Sequence, residues 1–210
     1  DEVTGIEMAL QNGHAETVKT FLSGLKDLAL KSEDLKEIFL PEEKGSNKPI
    51  IPGLYMALQD GHADVVKEFL SGLKELGLNQ TTLKIIVLAK RSDEVTGIEM
   101  ALQNGHAETV REYIQGLKSL GLKLSDSDKY FYSKLAIKRT SDGANALKKT
   151  SITAVELKEV GFGPAQLKEV GFGPAQLKHA GFTGDQLFKA GFTQSELSGA
   201  GLVYKGFFGP

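Results

Sequence analysis

Three histidines, His14, His62 and His106, stand at equivalent places 48 and 44 residues apart, and imidazole is the side chain best suited to hold a metal or move a proton near neutral pH. Their spacing argues against a shared ion. Equivalent groups on successive packed helices lie roughly 8 to 10 Å apart, whereas zinc needs its nitrogens at about 2.1 Å. All three are therefore read as turn residues with a local capping role, and His179 as a residue on a solvated face. Glu42 and Glu43 are adjacent carboxylates in a Pro/Gly/Lys-rich loop, where nothing argues for the burial that raises a pKa for acid–base work. Ser, His and Asp all occur, but without a nucleophile-elbow pattern ahead of a helix. None of the 24 glycines is followed by the Lys-Ser or Lys-Thr of a phosphate loop. With no cysteine, thiolate nucleophiles, disulfides and thiolate zinc sites are excluded. No catalytic residue, metal or cofactor is assigned, and the chain is expected not to be an enzyme.

The bulk composition fits that reading. The 210 residues are 40% hydrophobic and 25% charged, enough for one or two domains with a core. A formal net charge of -2 of mixed signs supplies no field to draw the chain onto nucleic acid or an anionic membrane, and neither is expected as a partner. No run of eighteen apolar residues and no basic-then-apolar leader is present. The sequence opens at Asp1 rather than Met, from which further residues upstream are expected.

Stepping from single residues to the elements that carry them, two internal periods emerge. Asp1 to Val18 recurs unchanged at Asp93 to Val110, and a diverged copy runs from Pro52 to Val66. Gly5-Ile6-Glu7-Met8-Ala9-Leu10 thus corresponds to Gly53-Leu54-Tyr55-Met56-Ala57-Leu58 and Gly97-Ile98-Glu99-Met100-Ala101-Leu102. The spacing of Val18, Phe21, Leu22, Leu25 and Leu28 predicts one buried helix face. Each copy is therefore a short inner helix, a turn at Asn12-Gly13 or its equivalent, and a longer antiparallel outer helix. A third helix is expected at 33–40, 82–90 and 127–138.

Thr4-Gly5-Ile6-Glu7-Met8-Ala9-Leu10-Gln11-Asn12-Gly13-His14-Ala15-Glu16-Thr17-Val18-Lys19 resembles an ankyrin repeat. The Pro and His of that family's usual opening are replaced by Gly5 and Glu7, and the period is about a dozen residues longer than the family's 33. The Met-Ala-Leu-Gln-Asn/Asp-Gly-His-Ala flavour also looks like the degenerate ankyrin repeats near the carboxyl end of bacterial type III secretion effectors. The resemblance covers residues 1–139, divided as 1–49, 50–92 and 93–139.

A second period, of ten residues, begins near Ile152 after a polar linker at 140–151. Leu157, Leu167, Leu177, Leu187 and Leu197 are each followed four residues later by Gly161, Gly171, Gly181, Gly191 and Gly201, and then by Phe162, Phe172, Phe182, Phe192 and Leu202. Thr153 with Glu156 and Thr193 with Glu196 have capping-box spacing, and Gly163-Pro164 and Gly173-Pro174 place Pro at the first helical position. Each unit thus starts a helix at its Thr or Gly and ends it at a left-handed Gly, with Phe bridging to the next. Helices this short are not stable alone, so residues 152–210 are expected to stack into a compact solenoid of five units, with 203–210 as an irregular end or the start of a truncated sixth. The fold class is all-α.

What remains for function is surface. If Ile6, Ala9 and Leu10 face the core, Glu7, Gln11, Tyr55, Gln59, Glu99 and Gln103 fall together on the other side. In ankyrin proteins that face binds the partner, so the resemblance marks these six as partner-binding, and Tyr55 draws attention because aromatic residues are enriched among interface hot spots. The expected function is a non-catalytic protein-binding module. The effector resemblance implies a targeting region of a secreted bacterial protein that acts on a host protein in the host cytoplasm. The alternatives are a structural module that self-associates, through the ten-residue solenoid or Phe207-Phe208, and the non-catalytic part of an enzyme whose catalytic domain lies upstream.

Overall fold

The computed structural model describes residues 4–40, 53–88, 95–123, 152–159, 161–169 and 171–204. Among them are thirteen α-helices and no strand: the protein is an all-α helical repeat. The expected third helix at 127–138, the linker at 140–151, Glu42, Glu43 and Phe207-Phe208 lie outside the described residues.

Repeat one comprises α1 (Gly5–Gln11), α2 (Ala15–Asp27) and α3 (Ser32–Phe39). Repeat two comprises α4 (Gly53–Asp60), α5 (Ala63–Glu75) and α6 (Gln80–Val87), and repeat three contributes α7 (Gly97–Gln103) and α8 (Ala107–Ser119). The inner helices α1 and α7 begin in true capping boxes. Thr4 Oγ1 accepts from Glu7 N at 3.4 Å while the Glu7 carboxylate accepts from Thr4 N at 3.0 Å, and Thr96 with Glu99 repeats the exchange. The three inner helices end where Gly13, Gly61 and Gly105 turn left-handed, at φ +77, +85 and +75. The next amide then reaches back, His14 N to Ala9 O, His62 N to Ala57 O and His106 N to Ala101 O, each at 2.9 Å.

Inner helices pack on inner helices, α1 on α4 and α4 on α7, and outer on outer, α2 on α5 and α5 on α8. Closeness is set by glycine. A Cβ at Gly72 would stand 2.5 Å from Leu22 Cδ1, and one at Gly116 would stand 2.3 Å from Leu70 Cδ1, so α5 and α8 each seat a leucine of the preceding repeat in their own backbone. Tyr113 Oη, fully buried, donates to Val87 O at 3.0 Å and ties the third helix of repeat two to repeat three. Its phenol is held above its ordinary pKa by that burial.

The ten-residue units form α9 (Ala154–Glu159), α10 (Pro164–Glu169), α11 (Pro174–His179), α12 (Gly184–Lys189) and α13 (Gln194–Gly199). Every unit ends in the same Schellman pair. Gly161 N donates to Lys158 O at 3.0 Å and Phe162 N to Leu157 O at 2.9 Å, and the pattern recurs at Gly171/Phe172, Gly181/Phe182, Gly191/Phe192 and Gly201/Leu202. All five glycines have positive φ. The leucines at the heart of the units, Leu157 through Leu197, are completely buried.

Packing within the array joins alternate units as well as neighbours: α9 lies on α11 and α10 on α12, while α12 also meets α11 and α13. Lysine fastens this. Lys158 Nζ, on the last turn of α9, donates to Ala180 O at 2.8 Å and Gly181 O at 3.1 Å, two units on, and sits 4.5 Å from the centre of the Phe182 ring. Lys168 donates to Gly191 O and lies 4.5 Å over Phe192, and Lys178 donates to Ala200 O and Gly201 O at 3.0 Å. Each ammonium meets the negative end of a helix two units away. At the corresponding place in unit four stands Phe188, which stacks on Tyr204 with ring centres 3.9 Å apart, and a Cβ at Gly184 would meet Val203 O. Residues 203–204 thus lie against α12, outside any helix.

The two repeat systems share one core cluster, and α9 meets α8. Lys118 on α8 pairs with Glu159 on α9 at 2.6 Å, an exposed contact that orients the join more than it stabilises it.

The caps of the array carry a pH prediction. Glu156 and Glu196 accept backbone N–H bonds from Thr153 at 2.8 Å and Thr193 at 2.7 Å, which holds both carboxyls below their ordinary value of 4.5. A lowered folded-state pKa means that this stabilisation is complete above the unfolded value and is lost as pH falls through the folded one. The Glu156→Gln, Glu196→Gln double variant should therefore lose less Tm than the parent between roughly pH 5 and pH 3. Gln186, which already accepts from Thr183 N at 2.9 Å, shows that an amide fills the place. Equal acid limbs in both proteins would contradict this reading.

Candidate functional site

The inner helices set the site. α1, α4 and α7 lie side by side, each covered on one flank by its outer helix and on another by a neighbouring inner helix. The buried arc of α1 is correspondingly wide, taking in Ile6, Glu7, Ala9 and Leu10. At about 100° per residue that arc leaves Met8 at the centre of the exposed side, with Gln11 beside it.

This corrects half of the expected row. Glu7, Tyr55 and Glu99 are 4%, 2% and 5% exposed and offer no surface to a partner. The cause for the glutamates is the capping box, which draws their carboxylates back onto Thr4 and Thr96. Tyr55 takes the same helical position in repeat two and is held among the inner helices, where a Cβ at Gly97 would lie 3.1 Å from Tyr55 Cα. A cavity of about 10 Å³ beside Tyr55, Thr96 and Tyr113 has room for a single water at most. The other half of the row stands at the surface, with Gln11 exposed and Gln59 and Gln103 half-buried.

Sequence reasoning missed the methionines. Met8 is 52% exposed, and Met56 and Met100 are half-buried at the equivalent positions. These are all three methionines of the chain. The signal was available: opposite Ile6 and Leu10 on the helical wheel stands position 8. The resulting face is a methionine ladder beside a glutamine ladder, with Asp60 its one charge among the described inner-helix surface residues. Charges instead crowd the outer helices, as in the Lys26–Glu75 pair at 3.0 Å.

The histidines also find their place. The His62 ring lies against Gly13, where a Cβ would stand 2.9 Å from Nδ1, and its Nε2 donates to Gln11 O at 3.1 Å. The His106 ring lies against Gly61 in the same way. Their expected capping of their own helices is corrected here, since none of the three makes a side-chain cap bond. The His62 and His106 rings instead cross to the preceding repeat. Asn104 Nδ2 donates to Gln59 O at 2.8 Å, a bond Asp60, without a proton to give, leaves to His62 at the other junction.

Residues 132–204 match a family model described as Decapeptide repeat region. The match covers about a third of the chain and starts twenty residues before Ile152, inside the 127–138 stretch expected as a third helix, and runs on through the expected linker at 140–151. In register, Leu147 takes the leucine place and Ile152, 6% exposed, the phenylalanine place. Ser151 in the glycine position hides that unit from the sequence pattern. No curated protein and no solved structure matches the chain. The decapeptide array abuts repeat three through α9, away from the methionine ladder of α1, α4 and α7.

Proposed function

We propose that the chain is a non-catalytic protein-binding module that recognises its partner through the ladder of Met8, Met56 and Met100 and the flanking Gln11, Gln59 and Gln103. The observation that carries this reading is the placement of all three methionines, one per repeat, on the outward side of the inner helices, where Asp60 is the one charge among the described residues. Thioether side chains adapt their shape to a partner at little cost, and the amides beside them supply directional hydrogen bonds. The ankyrin-like sequence of residues 1–139 supports the same face as the recognition surface. On the effector resemblance, the module is the targeting part of a larger secreted bacterial protein. It binds a host protein in the host cytoplasm, and the decapeptide array buttresses the repeats.

A photo-crosslinking residue at Gln59, compared with one at Lys67 on the exposed side of α5, tests this in host-cell lysate. The expected result is an adduct from Gln59 alone, abolished by Met56→Glu with Met100→Glu while helical circular dichroism is unchanged. An adduct from Lys67 alone, or one from Gln59 indifferent to those substitutions, would move recognition off this face.

A further inference from the structure

Repeats two and three each seat the repeat before them in two glycine sockets. Gly53 faces Leu10 and Gly72 faces Leu22; Gly97 faces Leu58 and Gly116 faces Leu70, with the would-be Cβ at 2.3 to 3.0 Å from the leucine Cδ1 in every case. Repeat one has both glycines, Gly5 and Gly24, and among the described residues nothing lies within 4 Å of either Cβ position. The rest of that face follows suit. Phe69 and Tyr113 are 1% and 3% exposed, whereas their equivalent Phe21 is 36% exposed; Val65 and Thr109 are buried, whereas Thr17 is exposed. His62 and His106 lie on the glycine turns of the preceding repeats, and His14 is exposed.

We infer that this face of repeat one seats a further repeat of the same kind, joined in line, with leucines at the positions of Leu10 and Leu22 and a glycine turn for His14 to rest on. Two filled copies of the interface define the occupant. Terminal repeats of a solenoid need a polar outer face, and Phe21 beside bare glycine is not one. The in-line connection follows from sequence: Asp93 to Thr96, which leads into repeat three after the third helix of repeat two, is identical to Asp1 to Thr4. A second copy of this chain does not fit the socket, because the corresponding knobs of repeat three, Leu102 and Ile114, are 1% and 2% exposed and already covered.

The experiment extends the full chain at its amino end with a copy of residues 53–92, so that Ser92 runs into Asp1 as it natively runs into Asp93. In the unextended chain, Gly24→Ala should raise Tm by about 1 to 4 °C, since it relieves a helix-interior glycine in open space, whereas Gly72→Ala should lower it. In the extended chain the sign at Gly24 should reverse, and the amides of α2 should exchange at least about tenfold more slowly, their opening now coupled to a packed neighbour. Unchanged exchange together with a stabilising Gly24→Ala in both chains would overturn the proposal. So would a concentration-dependent mass of the unextended chain that Phe21→Glu abolishes, since the face would then belong to a second molecule.

Discussion

Leu177→Ala should cost about 2–5 kcal/mol, the range for emptying a fully buried leucine position, and should unfold the decapeptide array without unfolding the three longer repeats. Leu177 is completely buried, and its carbonyl accepts from Phe182 N at 3.0 Å in the cap of α11. α11 is the middle helix of five and packs on both α9 and α12. Six-residue helices have no independent stability, so the loss of one core removes the support of its neighbours. Residue-resolved amide exchange should show residues 154–199 losing protection while α5 and α8 keep theirs. Protection lost only within α11 would mean that the units fold one by one.

Two glycines of that same unit should respond in opposite ways. Gly181 holds φ +77 at the end of α11, with Lys158 Nζ 3.3 Å from where a Cβ would sit, and Gly181→Ala should cost about 1–2 kcal/mol for the left-handed backbone alone. Gly173, at the start of α11, is extended at φ −83, and its nearest neighbour for a Cβ is Gln176 Oε1 at 3.9 Å. Gly173→Ala should stay within about 0.5 kcal/mol, because the weaker cap is offset by a less flexible unfolded chain. Urea denaturation of the two variants separates them. Equal losses would mean that the Schellman turn is not what ends these helices.

The decapeptide array was legible in the sequence because its rules are local. Thr or Gly to start, Leu at the core and Gly-Phe to stop are decided within one unit, and the five Schellman pairs follow them bond for bond. What the sequence hid is non-local. Lys158, Lys168 and Lys178 recur every ten residues, yet only the packing of each unit on its second neighbour gives that recurrence a purpose. The candidate site shows the same division. The helices and the glycine turns were readable, as was the outward place of Gln11, Gln59 and Gln103. The inward turn of Glu7, Tyr55 and Glu99 depends on inner helices flanking one another, which widens the buried arc beyond what one amphipathic helix reveals. Likewise, His62 reaching to Gln11 O connects residues 51 apart, so its capping role could not be read from its own turn.

The lysine bonds that leap one unit give the array a parity. They join odd-numbered units to odd and even to even, and the segment at Val203 and Tyr204, which lies over Gly184 and Phe188, takes its place on the fourth unit, where the lysine gives way to phenylalanine. Ten added residues would hand that segment to the other lysine-bonded set, and twenty would return it to the same one, so the module can lengthen without exchanging its two sets only in steps of two units.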